Sequence, residues 1–335
     1  MWAVIHGLKT ITLPHDNYPM KKSWMSGPLL MAATCWLTAC EDHRDSPNAL
    51  FPERINFVSE RLYPEGTAYS SQLAKFLVTS IPFGKIGTVD TDGRYADLLT
   101  APELIAAIGM KVAGDRVFVC NSDQGRSVRS TPATTRQTAE LLVFNLRTGA
   151  LERRTDLDAL LPAAEPNFAN DVTLAPDGTA YVTDSFSPVI YKVAPDGTAS
   201  ILARDNVRFA NPGFGLNGIA YNVGGYLIVA NTGQGKIYKV DLRNGNAISE
   251  VTGMGALPGD GLTFLNGDLY VVTGGNRVAQ VRSTDNFLTA SVVKFDADGY
   301  VGATTSVAVN NQIYTLNARI GQNGNDRDFS IQRFR

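Results

Sequence analysis

The stretch PNFANDVTLAPDGTAYVTDS, residues 166–185, decides the fold. It reads as a β-hairpin. An apolar run leads into the turn Pro176-Asp177-Gly178, and AYVTDS follows with the two-residue alternation of a strand. One feature resists that reading. Asn170 and Asp171 place two polar side chains where the first strand begins, directly after Phe168 and Ala169.

The same opening recurs along the chain. PEGTAY opens a strand at Glu65, IGMKVAG at Gly109, NGIAYN at Asn217, DGLTFLN at Asp260 and TTSVAVN at Thr304. Counted from Gly66 through Gly109, Asp171, Gly218 and Gly261 to Thr304, the spacings are 43, 62, 47, 43 and 43 residues. The long interval contains an 18-residue polar insert, SDQGRSVRSTPATTRQTA (122–139), without which it is 44. Six units of this length, each with four short strands and Gly/Asp/Asn turns, predict an all-β, six-bladed β-propeller. The last unit lacks a fourth strand, and RINFVSE (54–60) is expected to supply it and close the ring.

In such a ring the residues that open each innermost strand meet at one mouth of the central channel. Four of the six carry a carboxylate or amide: Glu65, Asn170, Asn217 and Asp260, with no Lys or Arg among them. Two carboxylates and two amides suit a hard divalent cation, one Ca²⁺, with coordination places left for water and substrate. Asp171 is expected to support Asn170 from behind. The ends of the second strands, Asn121, Asp184, Asn231, Thr273 and Asn317, lie on the same face. They either hydrogen-bond strand ends or form a substrate rim. The insert overhangs this face with Arg126, Arg129 and Arg136, as a lid for anionic substrates or as a disordered polar loop.

YPEGTAY, FANDVTLAPDGTAYVTDS, GLNGIAY and PGDGLTF, over residues 62–335, resemble the senescence-marker-protein, gluconolactonase and luciferin-regenerating-enzyme family. The resemblance implies a propeller with one channel calcium held by Glu65, Asn170, Asn217 and Asp260. It also implies hydrolysis of a lactone or related ester, with Asp260 as general base or, as the lesser reading, nucleophile. Two departures stand out. Phe168 occupies a place where sugar-lactonase members often carry a substrate-binding Arg. Thr263 stands where members with a second calcium carry Asp. Two other readings stay open: a non-catalytic binding or scaffold propeller whose calcium pins the blades, and a strictosidine-synthase-like propeller.

Composition narrows the field. The chain has 335 residues, 31 of them Gly, and a net charge of -2, with no basic stripe of the kind nucleic acid requires. Residues 20–39 read as a signal peptide: Lys21 and Lys22 precede a short apolar run that ends Leu37-Thr38-Ala39-Cys40. That ending resembles a bacterial lipobox, with Cys40 lipidated. Residues 1–19 are read as an extension from a mis-assigned start and 40–53 as a polar tether, leaving the propeller at 54–335. The expected setting is the bacterial envelope, with a monomer touching membrane only through its lipid and acting on a small molecule. Cys120 is then the one cysteine of the folded part, and no histidine remains there for zinc or for a Ser-His-Asp triad. GFGLNG (213–218) matches a dinucleotide-loop pattern, but a hairpin rather than a helix follows it. DTDG and DADG lack the later Glu of an EF-hand loop and read as turns.

Overall fold

The computed structural model describes residues 51–274, 276–320 and 327–335, which form six four-stranded antiparallel sheets. The segments read as a start extension and a signal peptide, Cys40 and most of the expected tether lie outside these residues. Five blades span 67–100, 107–156, 169–204, 216–250 and 259–296. The sixth joins 303–333 to the early strand Arg54–Val58. That strand pairs antiparallel with Asp328–Arg333, from Arg54 opposite Gln332 to Val58 opposite Asp328, so strands from both ends of the described fold close the ring. It ends two residues before the expected Glu60. The expected tether also gives up residues to the fold. Phe51 packs on Tyr69, Phe76 and Tyr314, and Glu53 pairs with Arg333 and Arg335.

We label the strands of each blade A to D from the channel outward. The A strand of each blade packs against its neighbours' A strands around the full circle. Six apolar clusters lie one at each blade–blade interface, so every inner strand is covered on both faces. Tyr226–Asn231, YLIVAN, is therefore buried along its whole length and does not alternate. The Asp-Gly turn of the opening hairpin forms as expected. Gly178 takes φ +86°, a conformation that favours glycine, while Asp177 accepts the Thr179 N–H. GFGLNG runs into the strand Leu216–Asn222 and its hairpin partner. DTDG turns between two strands of blade 1, and DADG leads out of the last strand of blade 5. Among the described residues no helix is long and apolar enough to cross a membrane.

Candidate metal and active site

A repeated β-bulge aims the strand openings at the channel. In blades 2 to 6 the A–B register skips two A-strand residues opposite one B-strand residue. The skipped pairs are Ile108-Gly109, Asn170-Asp171, Asn217-Gly218, Asp260-Gly261 and Thr304-Thr305. A bulge bends its strand and re-aims the side chains within it, which brings each pair's first residue to the channel mouth. In blade 1, Glu65 and Gly66 stand just before the A strand Thr67–Ser70 and donate their N–H groups to Thr79 Oγ1 at 3.2 and 2.7 Å.

The second residue of each pair faces the next blade. A Cβ on Gly66 would collide with the Ile108 carbonyl, one on Gly109 with Asn170 and Asp171, one on Gly218 with the Asp260 carbonyl, and one on Gly261 with Thr305. This close approach explains the Glu-Gly, Asn-Gly and Asp-Gly openings. Blade 3 is built differently: Asp171 bridges the gap, accepting from Val172 N at 2.8 Å and from Ile219 N of blade 4 at 3.3 Å. It is buried and absent from the channel cavity, and its carboxylate bonds to Val172 and Ile219 rather than to the Asn170 side chain.

Glu65, Asn170, Asn217 and Asp260 line one cavity of about 340 Å³, together with Thr304 and Ile108 from the remaining two blades. Asn170 has a fixed orientation. Ser185 Oγ donates to the Leu216 carbonyl (2.6 Å) and so must accept from Asn170 Nδ2 (2.8 Å). Asn170 Oδ1 is left buried with no hydrogen-bond partner. A buried unpartnered oxygen is costly, and an unmet ligand is one physical account of it. The Asn217 side chain lies beside the Asp260 carboxylate and favours its ionised form.

The electrostatics have one sign. Burial, then the Asp171 charge, pushes Asp260 up to about 7, with the Asn217 amide opposing. Glu65 is raised well above the usual carboxylate range by burial, then by Asp260 and Asp171. Burial also raises Asp171, opposed by Lys111 and two backbone N–H groups. Neither Glu65 nor Asp260 forms an ion pair with Lys or Arg among the described residues. These are donors for a hard cation: charge without counter-charge, plus an oriented amide oxygen with nothing to bind. Among the described residues no group of three or more His, Cys, Asp and Glu side chains is placed to hold a metal ion, so an ion bound here would also need the amide oxygens.

The B-strand-end residues do not form a substrate rim. Asn121, Asp184, Asn231, Thr273 and Asn317 are buried, lie off the cavity, and bond to nearby chain. Asn121 takes the Ile105 N–H and donates to the Glu103 carbonyl. Asp184 accepts from Phe168, Phe186 and Ser187 N and from the Tyr191 hydroxyl, all at 2.8–2.9 Å. Asn231 holds the Arg208 carbonyl, Asn317 the Val301 N–H, and Thr273 the Arg277 carbonyl. Four of the five thus pin the link that leads into their own blade's A strand. Cavity-lining side chains come instead from just beyond these ends, among them Gln124, Arg126, Thr232 and Asn276. They sit in irregular loops, where no periodicity marks them. Phe214, also in the lining, lies in the irregular segment before the strand Leu216–Asn222, where no alternation singles it out.

The insert is a built structure and not a disordered loop. The Asp123 carboxylate takes Gly125 N and the Ser130, Thr134 and Thr135 hydroxyls. Arg129 donates to the carbonyls of Gly84, Ala101 and Leu104. Arg136 lies 4.1 Å over the Phe186 ring. Only Arg126 of the three arginines lines the cavity. Phe168 is 2% exposed and packs with Phe186 and Phe214, ring centres 5.1 and 5.8 Å away, so an aromatic cluster stands at the position where the resembled sugar lactonases often carry Arg. Cys120, a buried free thiol, lies opposite the bulge of blade 2; burial, then Asp171 and Glu65, keeps it protonated.

The fold and site define a six-bladed propeller with an oxygen-lined channel mouth. Neither a family model nor any curated protein sequence matches the chain. Solved structures do match in fold. The major allergen Mala s 1 of Malassezia sympodialis superposes with a TM-score of 0.67 at 17% identity, over 85% of this chain and 96% of that one. A gluconolactonase from Xanthomonas campestris gives 0.57 at 16% identity, over 84% and 89%. The luciferin-regenerating enzyme gives 0.58 at 12% identity, over 83% and 95%. At these identities the likeness is one of fold.

Proposed function

We propose that this chain is a calcium-dependent hydrolase of a lactone or related ester. The observation that carries the reading is the unpartnered Asn170 Oδ1, fixed by Ser185 in a cavity with two carboxylates that lack a counter-charge. Glu65, Asn170, Asn217 and Asp260 would hold the ion. Calcium, when bound, polarises a carbonyl oxygen and offsets the negative charge that develops on it. A nearby cation also keeps Asp260 ionised, in the form that can accept a proton.

The chain's own residues supply the rest. The neighbouring Asn217 amide favours the ionised form of Asp260. Asp260 takes a proton from water as the water oxygen bonds to the carbonyl carbon. The acyl–oxygen bond then breaks, and the leaving oxygen regains the proton from Asp260. The apolar lining, including Ile81, Ile108 and Ile320, limits the water that can reach the reacting bond. The leader reading, with Cys40 lipidated, would put this chemistry at a bacterial envelope.

Calorimetric titration of chelated protein with calcium, beside a lactone and ester panel, tests the proposal. Asp260→Asn is expected to keep the fold and weaken calcium binding, while turnover falls by at least about a hundredfold for loss of a general base. Calcium binding with no turnover on any panel member would leave the binding-propeller reading in its place.

A further inference from the structure

One charged side chain of the insert is uncommitted. Arg129 is held by three carbonyls and Arg136 rests on Phe186, but Arg126 is exposed on the cavity lining. Arg126 makes no hydrogen bond, ion pair or ring contact among the described residues, including with Glu65 and Asp260. Gln124, two residues earlier, lines the same cavity and is likewise unbonded. The loop that carries both is rigidified around Asp123, so the guanidinium is presented by a built element. A cation with no internal partner at the mouth of a cavity is suited to receive an anion.

The second feature is apolar. Phe214 is a large hydrophobic residue left 39% exposed, and its ring meets Phe168 edge-on at an interplanar angle of 90°. Both rings line the cavity beside the carboxylates and amides. An aromatic surface left open inside a pocket is binding surface for an apolar body.

We propose that this cavity selects esters or lactones that carry an aromatic or bulky apolar body, placed on Phe214, whose ring Phe168 backs, and an anionic substituent held by Arg126. The reacting bond rests on the hydrolase reading above; the selection rests on these three side chains alone.

Two matched lactones test it in the calcium-loaded, full-length protein. Both bear a phenyl group; one has a carboxylate remote from the ring carbonyl and its twin a carboxamide there. Binding of their hydrolysis-resistant lactam analogues is measured by calorimetry beside turnover. The wild type should favour the carboxylate twin. Arg126→Gln should erase that preference, weakening the carboxylate twin roughly 10- to 100-fold, the size of a charge-assisted contact, and leaving the carboxamide twin unchanged. Phe214→Ala should weaken both phenyl compounds roughly tenfold and spare a short aliphatic lactone, as loss of an aromatic contact does. If neither twin is turned over but lactam binding follows this pattern, the selection stands and the hydrolase reading falls. If both twins are turned over and Arg126→Gln affects them equally or not at all, the anion is not held there and the proposal is overturned.

Discussion

Two rings of polar side chains ride on the same six blades. One ring, at the ends of the B strands, includes Asn121, Asp184, Asn231 and Asn317. The other, in or just before the A strands, comprises Glu65, Asn170, Asn217 and Asp260. The first is occupied by partners within the fold: Asp184 alone accepts four hydrogen bonds, three from backbone N–H groups and one from the Tyr191 hydroxyl. The second keeps an amide oxygen without a partner and two carboxylates without a cation. Residue type does not separate the rings; satisfaction does. A polar group whose bonds are met inside the fold serves the fold, whereas one left unmet at a cavity is available to something else.

The largest effect is expected in the satisfied ring. Asp184→Ala strands three backbone N–H groups and the Tyr191 hydroxyl. It should lower the unfolding free energy by about 3–5 kcal/mol in denaturant melts, whether calcium or chelator is present. A loss under about 1 kcal/mol would remove the distinction between the rings.

Next is the response of the unmet ring to pH. Asp260, at about 7, and Glu65 hold protons in the folded, calcium-free protein that the unfolded chain releases near pH 4. The folded state thus binds more protons between these values, and the calcium-free protein loses stability as pH rises from about 4 to about 7. Calcium must displace those protons, so its stabilisation should grow over the same window. At a hundred times its dissociation constant at pH 8 the ion should add about 3 kcal/mol, fading towards zero by about pH 5. Asp184, raised to about 6 by burial, adds a pH slope of the same direction with and without the ion, so the difference between the two melts isolates the channel. A calcium increment that stays flat across this range would contradict the assignment.

Both rings were visible in the sequence as repeated positions, and the fold followed from the same repeat. The spacing of Gly66, Gly109, Asp171, Gly218, Gly261 and Thr304 marks six units, and RINFVSE supplies the strand missing from the last. What could not be read was which polar ring was satisfied. The bulge that turns Asn170 into the channel is a mismatch between strands, two residues against one, and leaves no mark in either strand alone. Whether Asn121 faces substrate or the Glu103 carbonyl depends on a linker 18 residues away. Arg126, Arg129 and Arg136 look alike in an insert of Ser, Thr and Gly; only packing assigns one to carbonyls, one to an aromatic ring and one to the cavity.

A smaller effect with reversed sign follows for the unmet ring. Glu65→Gln removes a half-buried acidic group that Asp260 and Asp171 disfavour but keeps the side chain's volume. In chelated protein at pH 8 it should raise stability by roughly 1 kcal/mol, opposite to the Asp184 substitution. The same variant should lose the calcium increment. Destabilisation of the chelated variant by more than about 1 kcal/mol would mean that Glu65 has a structural partner and belongs with the other ring.

The smallest effect isolates a single hydrogen bond. Ser185 accepts from Asn170 Nδ2 and donates to the Leu216 carbonyl, so it decides which end of the amide is left free. Ser185→Ala removes that orientation and leaves the four oxygen-bearing side chains in place. Calcium affinity should fall about three- to tenfold by calorimetry, the worth of roughly one neutral hydrogen bond. Chelated stability should fall by no more than about 1.5 kcal/mol, the same scale of loss. Asn170→Ala, which removes the oxygen itself, should cost more affinity and add little when combined with Ser185→Ala, because both act through one atom. Additive losses in the double variant would show that Ser185 acts elsewhere, and the free Oδ1 would then need another explanation.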